Sequence, residues 1–229
     1  DLEFPLSMGS RGSCQIGGNI ATNAGGLNVI KYGTIRQNIL GIEAVLSDGR
    51  IYSSLKNVKK NNTGLDLKHL LIGSEGTLGI VTAATVQLFP LPKEKTVLWA
   101  SFKNFSKVLN FYKYINNKFK DLITSFEFMN KESIEVLEKH ECEVINLKKN
   151  QCYCLVEFSN FNKINDFNDF IFAKIDLKDL DTDDLILSKS DSENKKIWNY
   201  RESIPLAERK EDFIIPHDIS IPLTNISEF

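Results

Sequence analysis

No apolar run in this 229-residue chain approaches the ~18 residues that a bilayer-spanning helix needs, so nothing in it reads as a membrane span. Cysteine is scarce. Four thiols do not make a disulfide framework in a chain of this size, and a reducing, intracellular compartment is the default expectation. An excess of charge of either sign is absent as well: 28 Lys and Arg face 30 Asp and Glu, and the net of −2 offers no general attraction to nucleic acid or to an anionic membrane surface. No internal repeat is found, and the abundance of Lys, Asn and Ile is spread evenly enough to read as compositional bias. What remains is an ordinary globular composition, 42% hydrophobic, with enough length for one large domain or two small ones.

Against that plain background the stretch Gly12 to Gly26 stands out, with glycines at 12, 17, 18, 25 and 26 and mostly small or short polar residues between them. Ordered glycine costs backbone entropy, so such a density implies a use. Close approach of a ligand to bare main chain is one, with N–H groups at a helix start or turn facing a phosphate or pyrophosphate. The Gly17-Gly18 pair is expected to open about one helical turn over Ile20 to Ala24. A flexible linker is the alternative, but Ile16, Ile20 and Leu27 supply an apolar frame that linkers lack.

A second glycine cluster follows at Gly73-Ser74-Glu75-Gly76-Thr77-Leu78-Gly79-Ile80-Val81, preceded by Asn62-Thr63-Gly64-Leu65-Asp66-Leu67-Lys68. Together with Gly12-Ser13-Cys14, Gly17-Gly18-Asn19, Thr22-Asn23-Ala24-Gly25-Gly26 and Tyr32-Gly33, it resembles the flavoproteins with the FAD-binding fold of vanillyl-alcohol oxidase and p-cresol methylhydroxylase. Within them the match is to the D-2-hydroxyacid dehydrogenase branch, whose members act on D-lactate, D-2-hydroxyglutarate or glycolate. The similarity runs from Phe4 to Pro92, thins in the middle and returns from Trp198 to Pro222. The resemblance implies FAD as cofactor. It implies cofactor contacts at Gly12, Ser13, Gly17, Gly18, Asn19, Thr22, Gly25 and Gly26, and, on the ribose and adenine side, at Glu75, Gly79, Ile80 and Val81. The competing reading of the second cluster is a helix C-cap, with Gly76 as the left-handed residue.

The fold expected is α+β: the second half of such an FAD-binding domain over residues 1–92, then a substrate or cap domain over 93–229. In the first, Gly41 to Tyr52 reads as a β-hairpin with Asp48-Gly49 as a two-residue turn. Leu65 to Ile72 has helical spacing, and Ile80 to Leu88 is a β-branched strand. Pro90-Leu91-Pro92 then breaks the pattern. The second alternates strands (96–102, 125–129, 152–158, 184–188) with helices (105–119, 131–140, 165–173, 192–204). That order suggests an antiparallel, ferredoxin-like sheet with helices packed on one face. Both ends look cut: the glycine motif begins almost at once, and Pro222 to Phe229 resembles a helix start with Thr224 as N-cap.

Other residues invite chemistry and read better as structure. His140-x-Cys142 with Cys152-x-Cys154 has the look of a zinc set, but two cysteines two apart on one strand face behave as small hydrophobes. Asp179-x-Asp181-x-Asp183-Asp184 lacks the glycine and the glutamate of a calcium loop, so no metal is expected. Arg201, in Trp198-Asn199-Tyr200-Arg201-Glu202, is more pointed. A guanidinium can clamp a carboxylate through two parallel bonds, and the resemblance implies that role at this place. Its plain alternative is an ion pair with Glu202 or Glu208. Where relatives show a lysine before a His-Asp or Tyr-Asp pair, this chain has Pro216 before His217-Asp218.

The reading is thus an FAD-dependent oxidation of a small-molecule D-2-hydroxy acid by hydride transfer, with an unidentified electron acceptor and room for a homodimer. The base and any metal ligands, on the same resemblance, lie past Phe229. A non-catalytic, truncated or decayed flavin fold stands as the alternative, and a cell-wall precursor reductase on the same fold as a weaker one. An intracellular setting, cytoplasmic or mitochondrial, is expected.

Overall fold

A computed structural model describes residues 1–140, 149–162, 164–176 and 180–228. The chain divides into two compact units, Asp1–Leu91 and Pro92–Phe229.

The first unit orders as β1 (Leu2–Glu3), α1 (Ile16–Ala21), α2 (Val29–Tyr32), α3 (Ile35–Asn38), β2 (Ile39–Leu46), β3 (Ile51–Ser54), α4 (Lys68–Leu71), β4 (Gly79–Val86) and β5 (Phe89–Pro90). A three-stranded antiparallel sheet runs β3-β2-β4, and β1 pairs with β5. Its core gathers Ile20 of α1, Ile35 of α3, Ile39, Ile42 and Ala44 of β2, and Leu71-Ile72 at the end of α4. The β2–β3 hairpin has one more turn residue than Asp48-Gly49 suggests. Leu46 N–H donates to the Arg50 carbonyl at 2.9 Å, and Gly49 takes φ +84°, giving a three-residue loop. The Asp48 carboxylate accepts from Arg50 N–H and Nε, which holds its pKa below the usual range. The helix expected over 65–72 shrinks to α4, because Leu65, Leu67 and Leu70 stay exposed and give an amphipathic helix nothing to bury.

The second unit orders as β6 (Glu94–Phe102), α5 (Phe105–Phe119), β7 (Ile123–Asn130), α6 (Lys131–Lys139), β8 (Cys152–Asn160), α7 (Phe167–Lys174), β9 (Asp184–Leu187), α8 (Asp191–Glu202) and α9 (Ile204–Glu208). The sheet order is β7-β8-β6-β9, antiparallel throughout, which is the expected ferredoxin-like connectivity. Asn104 caps α5 by accepting the Lys107 N–H, and Val108, Phe111, Ile115 and Phe119 then recur on its buried stripe. Each such side chain contributes about 1.5–3 kcal/mol on burial.

Helices cover both faces of this sheet, where one face was expected. On one side α5 and α7 pack on Leu98, Ala100, Phe102, Cys154 and Val156. On the other, α6, α8 and α9 pack on Val97, Trp99, Tyr153 and Leu155. The physical sign is the two central strands: every residue of β8 is buried, as is β6 from Val97 to Phe102. A strand with one wet face would alternate. Beyond α9, residues 223–228 form successive turns. Thr224 Oγ1 donates to the Asn225 side chain, so no helix is capped there.

Cys152 and Cys154 share the α5–α7 face as core residues, and burial pushes the Cys154 thiol well above its ordinary pKa and Cys152 upward in the same way. His140 Nε2 instead meets Glu211 Oε1 at 2.7 Å, while Cys142 and Asp179 lie outside the described residues. A neutral thiol-directed reagent followed by peptide mapping should label the Cys14 peptide in the native protein, and the Cys152–Cys154 peptide only after denaturation. Fast native labelling of Cys154 would refute the buried strand.

Candidate functional site

The two glycine clusters meet around α1. This helix begins at Ile16, so Gly17 and Gly18 lie inside its first turn and do not precede it as expected. Its first intrahelical bond is Asn19 N–H to the Gln15 carbonyl, at 3.0 Å. The N–H groups of Ile16, Gly17 and Gly18 therefore have no helical acceptor, Gln15 makes no side-chain cap, and no acidic residue occupies the first turn. At the other end, Gly73 N–H donates to the Ile20 carbonyl (3.1 Å) and Glu75 N–H to the Ala21 carbonyl (2.9 Å). The second cluster thus satisfies the last carbonyls of the first. Gly73 (φ +83°) is the left-handed residue directly after α4, while Gly76 (φ +81°) comes three residues later and does not end that helix.

The glycines divide by what a side chain would meet. At Gly26 a Cβ would collide with the Ser7 backbone, and at Gly79 it would lie 2.8 Å from the Val45 carbonyl oxygen. These two are required by chain packing. At Gly17 a Cβ would lie 3.2 Å from the Val81 carbonyl oxygen, which places α1 hard against β4. At Gly25 a Cβ would meet the Val29 and Thr34 side chains at 3.4 and 4.0 Å. Gly12 (φ +95°) and Gly18 face open space, with nothing within 4 Å. Bare main chain at a helix start, open to solvent and free of negative charge, fits the pyrophosphate of a dinucleotide.

The polar side chains expected at the cofactor are partly engaged with the protein. Ser13 Oγ donates to the Ser10 carbonyl (3.0 Å) and Thr22 Oγ1 to the Gly18 carbonyl (3.1 Å). Asn19 is buried, and Glu75 is exposed at φ +51°. β4 is an edge strand, so half the main-chain groups along Ile80 and Val81 face away from β2; the Ile80 side chain is 63% exposed. Ser74 belongs to the second glycine cluster but was not among the residues expected at the cofactor. Its Oγ is buried without a hydrogen-bond partner, the kind of orphan a bound ligand satisfies. Asn23, part of the first cluster, was given no role there, and no local pattern points to Arg36. The Asn23 Oδ1 accepts from Arg36 N–H and Thr34 Oγ1, and the Arg36 guanidinium donates to the His69 and Ile72 carbonyls, bracing the second cluster.

In the second unit Arg201 lies on α8 and faces the sheet. Its partner is neither Glu202 nor Glu208 but Glu127 of β7: Nε and Nη2 approach Glu127 Oε2 at 2.7 and 2.6 Å. One turn earlier, Trp198 Nε1 donates to Glu157 Oε2 at 2.8 Å. Glu157 also accepts from Lys95 Nζ and from Thr124 Oγ1, both at 2.9 Å.

Residues 1–54 match the model for the FAD binding domain, and residues 91–229 that for the C-terminal domain of FAD linked oxidases. The chain belongs to the FAD linked oxidase family. It is 34% identical to the D-2-hydroxyglutarate dehydrogenase, mitochondrial, of Danio rerio, over 99% of this chain and 43% of that protein. It is also 34% identical to a D-2-hydroxyglutarate–pyruvate transhydrogenase of Saccharomyces cerevisiae, over 99% of this chain and 46% of that protein. Among solved structures it resembles an alkyldihydroxyacetonephosphate synthase, with a TM-score of 0.65 at 20% identity over 91% of this chain and 39% of that one. The chain spans less than half the length of these relatives.

The division of the glycines is testable. Gly26→Ala should destabilise by about 1–3 kcal/mol or more, through forced repacking. Gly18→Ala, at an open helical position, should raise stability by about 0.5–1 kcal/mol yet lower flavin content. Thermal melts and flavin absorbance of the full-length protein check both. A Gly18→Ala protein with full flavin content would separate this helix start from the cofactor.

Proposed function

We propose that this chain is part of an FAD-dependent dehydrogenase that oxidises a D-2-hydroxy acid to its 2-oxo acid, in an intracellular setting. The observation that carries the reading is the 34% identity to proteins named for D-2-hydroxyglutarate, sustained over 99% of the chain. FAD, when bound, supplies the hydride acceptor.

The chain's own contribution is binding and orientation. The first-turn N–H groups of Ile16, Gly17 and Gly18 hold the pyrophosphate, and the helix start adds a favourable field for that anion. Ser74 Oγ and the outward main chain of Ile80 and Val81 hold the rest of the dinucleotide. Arg201 binds the substrate carboxylate. Glu127 occupies the Nε–Nη2 edge of the guanidinium, and the Nη1–Nη2 end is the edge left for a second carboxylate. The cycle closes on an external electron acceptor.

In the full-length protein the flavin released by denaturation should be FAD. Arg201→Ala should lower kcat/KM by about 2–4 kcal/mol, the cost of a lost charge-assisted contact. It should also lower stability, since Glu127 is left half-buried without its cation. Arg201→Lys should restore stability but little of the activity, because an ammonium has no planar fork. Arg209→Ala, at an exposed position, is the control and should change neither. A flavin-free parent that cannot be reconstituted, or full activity in Arg201→Lys, would overturn the reading.

A further inference from the structure

Arg201 reaches its partner from the side. Both donors on one edge, Nε and Nη2, converge on a single oxygen, Glu127 Oε2. Glu127 lies on β7 at the register position opposite Leu155 of β8. Its side chain is 17% exposed and that of Arg201 26%, so the pair sits at the rim of the sheet–helix interface with one face still reachable. A guanidinium offers five N–H groups, and this grip uses two of them. An arginine held by its stem edge cannot swing freely about its long side chain.

We infer that Glu127 is a positioning residue for Arg201. It fixes the guanidinium plane from the sheet and leaves the outer fork aimed outward for the substrate carboxylate. The inference rests on the carboxylate reading of Arg201. Its charge has a second consequence: Glu127 neutralises Arg201 when no substrate is bound, so the arginine needs no counter-ion to displace. The competing arrangement has the opposite sign. If Glu127 were a gate that the substrate carboxylate must expel, removing its charge would tighten anion binding.

Oxalate serves as the probe, as a dead-end inhibitor of the flavin-loaded, full-length protein. Glu127→Gln keeps the shape and an acceptor oxygen. It should raise the oxalate inhibition constant about tenfold, with a matching rise in KM and kcat changed much less, as expected for a lost charge-assisted orientation. In an Arg201→Lys background the same substitution should add little, because Glu127 acts through the arginine. An unchanged or tighter oxalate constant in Glu127→Gln would overturn the positioning role, as would an undiminished effect in the Arg201→Lys background. Should Glu127→Gln fail to fold, Glu127→Asp keeps the charge, retracts the guanidinium and should weaken oxalate in the same direction; an unchanged constant would count against the role. If Arg201→Lys alone leaves oxalate binding intact, it is the carboxylate reading of Arg201 that falls.

Discussion

A carboxylate in a fully covered strand constrains the second unit. Every residue of β8 is buried, Glu157 among them, and an unpaired buried carboxylate would cost several kcal/mol. Lys95, Thr124 and the Trp198 indole answer it from three elements, so α8 is drawn onto the sheet at Trp198. Asn194 fastens the same helix four residues earlier, donating to the Lys95 carbonyl and accepting from Val97 N–H. Arg201 follows three residues after Trp198. Positions 194, 198 and 201 form one stripe at helical spacing, and each meets the sheet through a hydrogen bond. The apolar residues Ile197, Tyr200 and Ile204 run beside that stripe into the core. The place of Arg201 is therefore set by the satisfaction of β8.

In the first unit the comparable constraint is the absence of side chains. Gly26 lets the chain lie against Ser7, whose carbonyl accepts the Leu27 N–H at 2.7 Å. Gly41 admits the backbone of Ser54 to Lys56, and Gly79 the Val45 carbonyl. Gly17 in turn lets α1 rest on β4 with its first turn open. A glycine-rich sequence can therefore hold glycines required by chain packing beside glycines that face open space.

Much of this was legible in the sequence where the signal is local. The amphipathic helix read over 105–119 has the bounds that α5 shows. The strand at Cys152 and the family itself were equally plain, since both glycine segments appear in order. Other features were closed to that reading because they depend on distant partners. Nothing near Arg201 points to Glu127, 74 residues away, and nothing near Gly26 points to Ser7. The second helical layer was in principle readable, because an unbroken apolar run in β6 and β8 signals a sheet covered on both faces. The leucines at 65, 67 and 70 misled for the converse reason: helical spacing needs a surface to pack on, and they find none.

The charges around Arg201 bear on how it would recognise an acid. Lys95 and Arg201 are matched by Glu157 and Glu127, so the cluster carries no net charge. On the proposed reading, a substrate anion approaching it would meet no strong monopole, and attraction at a distance would be weak. Affinity would then arise at contact, from the directions of the remaining guanidinium N–H groups. Recognition of that kind discriminates by the planar shape of a carboxylate more than by its charge, which is the property an arginine has and a lysine lacks. It would also make recognition depend on whatever holds the plane in place, and the group that meets the Arg201 guanidinium is the Glu127 carboxylate of β7.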